Sequence, residues 1–582
     1  METKEYIVIL QNGIDYDQVW NNIENPSLGL PHIPDRAVSI VNNRDVQPQM
    51  CHYALTDDEA EKLKLDLRVK AVEEPLENIG LFPQLFTTEG PSTGNISFTI
   101  PAYSNHSGNN VNWGLIRNSY SNNTYGNTVS TSSEYQYLLD GTGVDIVIMD
   151  TGIEYYHPEF LDASGNTRVV LYNWTGNLNT TPNSVNFSDT NGHGTACAGI
   201  AAGKNYGWAK NSAIYPCKIN LSTTGPGGIE IGIALDAIKT WHIAKNTIGN
   251  PIYTGRPTVV NGSFGYVFSN ALLSITSINY RGGGNVTASG PVAAKGMTNG
   301  SVTQYDLASG KTYTFSCGQP LRTDQIDTLV DNLISAGAVF VAAAGNDAHK
   351  IATPTALPPT SPAVDNDFWN YWNGTYNGLS YPIDYRYYNR GASPGTANAI
   401  VVGALVAGTT ADGKNQKISY SNAGYNVSVF AVGWNPRTSY STVNSSGANG
   451  SAPYWLNSAG QTFRQKTFGG TSAAAPQIAG IAALYLQTNP TATPAQVKSW
   501  LSSNANTDTM YSAGNSDYTN YQSQWGGNGG VAYQSIQAAL QVKNSSGQWQ
   551  QLQSIKVRTV NNTWADVKAS WTKTSTGWIQ TY

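Results

Sequence analysis

The sequence predicts an α/β protein, a three-layer fold with a mainly parallel central sheet and helices on both faces, preceded by a small α+β domain and followed by a short β-rich appendage. Three observations lead there. From Val144 onward, short apolar runs alternate with stretches of helical periodicity, the mark of repeated strand-helix-strand units. Ahead of them, the chain up to Glu74-Pro75 holds its own strands and helices and then enters a stretch rich in Gly, Pro, Ser, Thr and Asn. At the other end, Trp549, Trp564 and Trp578 recur among alternating polar and apolar positions, as in a small β repeat. The expected division is 1–78, a linker at 79–110, a main domain at 111–543 and an appendage at 544–582, because 582 residues exceed one compact module.

Each element has a local reason. Residues 6–10 are an apolar strand, Tyr16, Val19, Trp20 and Ile23 share one helical face, and Thr56 with Glu59 forms a capping box that opens a helix. Residues 69–72 follow as a strand. In the main domain, 144–149 and 214–219 read as strands, and 228–245 as a helix with Ile229, Ile233, Ala237 and Trp241 on its apolar face. Val259 and Val260 return as a strand. Ile326, Leu329, Val330 and Leu333 follow the i, i+3, i+4, i+7 stripe of a helix, and 338–344 is apolar throughout, as in a strand buried on both faces. Thr493, Pro494 and Gln496 supply an N-cap, a first-turn proline and a capping glutamine for a late helix.

Composition excludes several functions. No apolar run approaches the roughly 20 residues that span a bilayer, so no membrane partner is expected. A net charge of -5 without a dense Lys/Arg run offers no field for a nucleic-acid backbone. Cys51, Cys197, Cys217 and Cys317 make neither a disulfide framework nor a zinc spacing, and are expected to be mostly buried free thiols. The start, Met1-Glu2-Thr3-Lys4-Glu5, shows no standard secretory signal.

Acyl transfer by a serine needs an exposed hydroxyl, an imidazole to accept its proton, a carboxylate to fix the tautomer, and donors where an oxyanion forms. Asp150-Thr151-Gly152 ends a strand, placing a carboxylate at the carboxyl edge of the sheet, although an aspartate there is ordinarily a turn or cap residue. In Asn191-Gly192-His193-Gly194-Thr195 the flanking glycines let a partner backbone approach the imidazole, and the small residues 196–203 suit a helix packed close to the sheet. Ser472, in Gly469-Gly470-Thr471-Ser472-Ala473-Ala474-Ala475-Pro476, opens a helix whose N-terminal N–H groups can stabilise an oxyanion; a serine there also serves as a plain N-cap. Asn346 follows Ala342-Ala343-Ala344-Gly345 past another buried strand, so its amide is a candidate second oxyanion donor. Each motif alone has an ordinary structural reading. Their joint occurrence at the edge of one parallel sheet points to a nucleophilic serine.

The order Asp, His, Asn, Ser, carried by Asp150-Thr151-Gly152, His193-Gly194-Thr195, Gly345-Asn346 and Gly470-Thr471-Ser472 with Pro476, resembles the subtilisin family of serine proteases. The likeness runs from about Asn112-Trp113-Gly114 to Leu540. It implies a subtilisin-like fold and a serine endopeptidase with Ser472 as nucleophile, His193 as base, Asp150 as orienting carboxylate and Asn346 in the oxyanion hole. It also implies a substrate-binding strand at Ser263, Phe264 and Gly265 within Asn261-Gly262-Ser263-Phe264-Gly265, and further substrate-binding residues at Ala343, Ala344 and Gly345. No cofactor is required; structural calcium is common in the family, but no acidic loop identifies a metal site. The first domain resembles the family's inhibitory propeptide, particularly over 52–74, which implies a self-processing zymogen cut within 79–110 at a site the sequence does not mark. In proteinase-K-like members a free cysteine lies where Cys197 stands, which implies sensitivity to mercurials; a small buried hydrophobe is the other reading.

Two segments, 266–320 and 350–390, depart from the compact family pattern. Both flank motifs expected to line the cleft, so they are expected to reshape substrate access; plain surface hairpins are the alternative. The Trp repeats resemble tandem β repeats of tailed-phage structural proteins, which suggests a virion-associated protease bound to other virion proteins, or otherwise an extracellular one exported by a non-standard route. The expected partners are a polypeptide substrate and the chain's own N-terminal domain. Two other classes were weighed. A structural or binding protein that merely keeps the scaffold has no need of all four groups, and an α/β-hydrolase would carry its serine in a Gly-x-Ser-x-Gly elbow ahead of the acid and histidine.

Overall fold

The computed structural model describes residues 3–25, 36, 38–43, 48–75, 78, 83–85, 112, 114–115, 139–221, 227–268, 323–346, 394, 396–409, 415–418, 420–423, 426–434, 436–442 and 462–505, with short strands lying within 277–287, 302–320, 372–383, 453–456 and 541–580.

The N-terminal domain runs β1 (Lys4–Leu10), α1 (Tyr16–Glu24), β2 (Ser39–Asn43), β3 (Met50–Leu55), α2 (Asp57–Leu63) and β4 (Val69–Glu73). Its sheet is antiparallel throughout in the order β2-β3-β1-β4. The capping box forms as expected, with the Thr56 hydroxyl accepting from the Glu59 N–H and the Glu59 carboxylate accepting from the Thr56 N–H. The β1 sequence is apolar at five consecutive positions because both faces of the strand are covered. Tyr6, Val8 and Leu10 join Val19, Ile23, Tyr53 and Leu63 in this domain's own core, while Ile7 and Ile9 join Leu329 and Leu333 of the main domain. The strands β2 and β3 escaped the sequence reading, β2 being short and largely exposed at its described positions Ser39, Ile40 and Val41.

In the main domain, β6 (Asp145–Asp150), β7 (Ala213–Lys218), β8 (Thr258–Gly262), β10 (Val339–Ala343), β11 (Ile400–Thr409) and β12 (Val429–Val432) form a parallel sheet in the order β12-β11-β10-β8-β6-β7, to which Asn415–Lys417 adds a short antiparallel strand. Two further strands, β5 (Pro83–Leu85) and β9 (Phe264–Phe268), lie outside it. Alternate residues feed opposite cores: Ile146 and Ile148 face one, Val147 and Met149 the other. The helices α3 (His193–Ala202) and α6 (Thr471–Thr488) cover the first face; α4 (Ile231–Asn246) and α5 (Asp324–Ser335) cover the second. The fold class read from the sequence therefore holds. A last helix, α7 (Pro494–Ser503), starts at the predicted capping box of Thr493 and Gln496.

One helical face is corrected. Ile233 of α4 is 42% exposed, and the buried stripe is Ile231, Ala234, Leu235, Ile238 and Trp241. A strict four-residue spacing drifts around a helix of 3.6 residues per turn, and the spacing that stays on one side is i, i+3, i+4, i+7.

The two domains touch at defined points. The Glu73 carboxylate accepts from the first N–H groups of α5, those of Asp324 (2.9 Å) and Gln325 (3.1 Å), and the Lys70 ammonium donates to the Thr328 hydroxyl at 2.7 Å. Beyond Glu73, β5 pairs antiparallel with β9, Pro83 opposite Tyr266, Gln84 opposite Gly265 and Leu85 opposite Phe264.

The segments at 266–320 and 350–390 contain antiparallel hairpins, Ser277–Asn279 with Asn285–Thr287, Val302–Asp306 with Lys311–Phe315, and Trp372–Tyr376 with Leu379–Ile383. The first of them returns to β9, where Gln319 and Pro320 pair with Phe268 and Val267. Their expected effect on substrate access lies outside the described residues. At the C-terminus three hairpins occur between Gln541 and Gln580, so strand structure begins ahead of residue 544. Cys51, Cys197 and Cys217 are buried free thiols, and Cys317 lies outside the described residues. No described helix is long and apolar enough to cross a membrane.

Candidate active site

Asp150 is the last residue of β6, a strand paired on both sides, and itself stands opposite Lys218 of β7. His193 is the first residue of α3. Its Nδ1 lies 2.8 and 2.9 Å from the two carboxylate oxygens of Asp150, with both side chains essentially inaccessible to solvent. A carboxylate only accepts, so Nδ1 carries the proton and Nε2 keeps its lone pair. Among the described residues that Nε2 has no hydrogen-bond partner. The Phe468 ring packs edge-on to the imidazole, 5.0 Å between centroids.

The glycines around the histidine answer to close approach. A Cβ on Gly194 would stand 2.2 Å from the Gly152 carbonyl oxygen, and Gly152 itself, at φ +110°, has the Phe187 carbonyl 2.5 Å from where a Cβ would be. No larger residue fits without moving the backbone that carries Asp150 or His193.

A residue that the sequence reading missed organises this corner. Asp189, buried, accepts at Oδ1 from the Thr151 hydroxyl (2.7 Å) and the N–H groups of Gly192 (2.7 Å) and Asn191 (3.1 Å), and at Oδ2 from the N–H and hydroxyl of Thr195 (2.9 and 2.6 Å). The Thr151 hydroxyl accepts in turn from the Gly194 N–H at 2.8 Å. One carboxylate thereby ties the turn after Asp150 to the start of the His193 helix. Burial raises its affinity for a proton, and the hydrogen bonds from Thr195, Gly192 and Thr151 oppose that rise. Its sequence signal was weak: an aspartate before Thr190-Asn191-Gly192 also suits an ordinary Asx turn.

Ser472 is the second residue of α6. Its hydroxyl donates to the Ser263 carbonyl at 3.2 Å, and its own carbonyl accepts from the Ser263 hydroxyl (3.3 Å) and the Cys197 thiol (3.5 Å). Pro476 explains the second pair of contacts. It stands four residues on, where an N–H would otherwise close the helical bond to Ser472, and the freed carbonyl takes side-chain donors instead. Cys197 Sγ also lies 3.8 Å from His193 Nδ1, so one thiol touches both the serine backbone and the imidazole. The Ser472 hydroxyl thus rests on Ser263; the bond of a nucleophile to its base often forms only when substrate is present.

Asn346 follows the carboxyl end of β10. Its side-chain oxygen accepts from the N–H (3.0 Å) and hydroxyl (2.9 Å) of Thr471, the residue before Ser472. The amide is pinned by its oxygen, and the NH2 is its donor end. Ala343, Ala344 and Gly345 lead into it, and their polar groups are already engaged: the Ala344 carbonyl by Asn422 Nδ2, the Gly345 carbonyl by the Asn422 N–H and the Gly345 N–H by the Thr471 hydroxyl. Ser263 is buried and its hydroxyl receives an Asn261 amide hydrogen bond of 3.0 Å, and Phe264 and Gly265 open β9.

Asp150, His193 and Cys197 are a described cluster whose ligand atoms lie close enough to share a metal ion, and it is built on the histidine pair itself. A thiol beside an imidazole suits a soft cation rather than calcium.

The model of the Subtilase family matches residues 141–529. The chain is 25% identical over 386 residues to a subtilisin-like protease of Coccidioides posadasii, covering 66% of this chain and 52% of that one. It is 27% identical to a cuticle-degrading serine protease of Arthrobotrys oligospora (68% and 63% covered) and 26% identical to an extracellular serine proteinase of Thermus sp. (79% and 71% covered). The match spans from about half to about two thirds of the first two relatives' lengths.

Proposed function

We propose, proceeding from the fact that this chain belongs to the subtilase family, that it is a serine endopeptidase in which Ser472, His193, Asp150 and Asn346 do the chemistry. The observation that carries the reading is the contact of His193 Nδ1 with both oxygens of Asp150, which commits Nδ1 as donor and leaves Nε2 to act as the base. Ser472 Oγ attacks the scissile carbonyl and gives its proton to Nε2. Asp150 holds the imidazole and stabilises the imidazolium. The Asn346 NH2 and the Ser472 N–H, at a helix N-terminus, receive the developing oxyanion. The leaving amine takes the proton from Nε2, and water repeats the sequence on the acyl ester. No cofactor enters any step.

The same reading makes the chain a zymogen. Glu73 on the α5 N-terminus and the pairing of β5 with β9 support it, since a strand on β9 takes the edge that an extended substrate would use. The Trp-bearing hairpins support a further assignment of the C-terminal segment as an attachment to other virion proteins, with the enzyme acting outside the cell; co-sedimentation with phage particles, lost when 544–582 is removed, tests it.

A silent scaffold is the second reading, favoured by the hydrogen bond of the Ser472 hydroxyl to the Ser263 carbonyl. Labelling with a fluorophosphonate followed by peptide mapping separates the two. Modification of Ser472, abolished in Ser472→Ala and strongly reduced in His193→Ala, is expected; an unlabelled but folded chain would end the proposal.

A further inference from the structure

The pairing of β5 with β9 fixes more than inhibition. Three pairs set the register, Pro83 with Tyr266, Gln84 with Gly265 and Leu85 with Phe264, and the direction is antiparallel. In such a ladder each step forward on one strand is a step back on the other. An extended peptide continued in this register would set opposite Ser263 the residue that follows the one paired with Phe264. Ser263 is the residue that the nucleophile touches: its carbonyl accepts the Ser472 hydroxyl at 3.2 Å, and its hydroxyl donates to the Ser472 carbonyl at 3.3 Å. A peptide held in this register presents to Ser472 the carbonyl of the residue that follows Leu85.

We infer that Ser472 cuts the chain's own Phe86–Thr87 bond, and that the enzyme prefers extended peptides with an aromatic residue before the scissile bond and leucine preceding it. Phe86 and Thr87 lie outside the described residues, and only their place in the sequence is used. The inference rests on the proposed endopeptidase reading and adds the bond and the substrate class to it. The step balances without a further reactant besides water. Ser472 Oγ bonds to the Phe86 carbonyl carbon, its proton passes to His193 Nε2 and on to the Thr87 nitrogen as the C–N bond breaks, and water then releases a Phe86 carboxylate and restores the hydroxyl. A product of this cut keeps Pro83, Gln84 and Leu85 on β9, so the released domain still blocks the cleft until it leaves.

The full-length chain is purified and its fragments are weighed by mass spectrometry, with Ser472→Ala as control. The expected result is a new N-terminus at Thr87, absent in Ser472→Ala, together with processing slowed about tenfold or more by Phe86→Asp. In parallel, acetyl-Pro-Gln-Leu-Phe-p-nitroanilide is expected to be cleaved with kcat/KM about tenfold or more above its Pro-Gln-Leu-Asp counterpart, the scale of a side chain that no longer fits its pocket. A Ser472-dependent cut at another bond, or equal turnover of the two peptides, would overturn the register inference and leave the endopeptidase standing. A Thr87 terminus that persists in Ser472→Ala would overturn self-cleavage, and fluorophosphonate labelling would then report separately on the enzyme.

Discussion

The carboxylate of Asp189 receives both the backbone N–H and the side-chain hydroxyl of Thr195, at 2.9 and 2.6 Å, and so anchors the first turn of the helix that begins with His193. The same carboxylate holds the Thr151 hydroxyl beside Asp150. Asp189→Asn replaces an acceptor by a donor amid donors. Since a displacement of about 1 Å at a reacting group can cost about 10²-fold, kcat should fall about 10- to 100-fold with KM nearly unchanged. Peptide kinetics alongside circular dichroism check this; a folded variant of normal kcat would show that the histidine needs no such anchor.

Asn346→Leu removes the amide whose oxygen is fixed to Thr471. Loss of one oxyanion donor costs about 10²–10³-fold in kcat, a magnitude known from subtilisin rather than obtained from this chain. A drop confined to KM would place Asn346 in ground-state binding instead.

Cys197 lies against His193 and Ser472 with its thiol proton held firmly, because burial and the neighbouring Asp150 charge both raise its pKa. Mercuric ion, soft enough to displace that proton, is expected to abolish activity, whereas Cys197→Ala should keep near-normal turnover and resist the metal. Inhibition that survives in the variant would point to Cys51, Cys217 or Cys317.

Glu73 binds two N–H groups at the start of α5, and each such hydrogen bond contributes about 0.5–1.5 kcal/mol. Glu73→Ala should therefore hasten release of the N-terminal domain from the processed enzyme about tenfold or more. Burial, and then Asp324, raises the Glu73 pKa, so the docked state holds a proton more tightly than the free domain. Docking should weaken as pH rises, and Glu73→Gln should flatten that dependence. Gel filtration of the processed protein across the pH range reads both effects.

His242, a buried residue of α4 with its Nδ1 2.9 Å from the Thr258 hydroxyl, has its pKa lowered to about 4, first by burial and then by Lys245. The unfolded chain takes up a proton near pH 6.5 and the folded one does not, so stability is full above that value and declines as pH falls toward 4, by up to about 3 kcal/mol. Urea unfolding of Ser472→Ala at pH 7 and pH 4.5, with and without His242→Gln, measures the term. An identical pH slope in both proteins would assign the loss to other groups.

Chemistry and layering were legible because local physics enforces them. A strand buried on both faces must be apolar throughout, as 338–344 is, and a helix start needs its cap, as Thr493 supplies; the motifs around Asp150, His193, Asn346 and Ser472 carry glycines that the close approach of backbones demands. Ser39–Asn43 and Val429–Val432 were not legible, being short strands whose pairing partners lie elsewhere in the chain. Nor was Asp189, since one buried carboxylate among loop residues looks like any other until its five donors converge.

The sequence by itself determined which groups can do acyl transfer and on which kind of sheet they sit, because residue type and periodicity are local properties. Only the tertiary structure decided that Nδ1 of His193 meets both oxygens of Asp150, that Ser472 rests on Ser263, and that Leu85 lies opposite Phe264. Those are distances between residues far apart along the chain, set by sheet register and helix packing, and no local pattern encodes them.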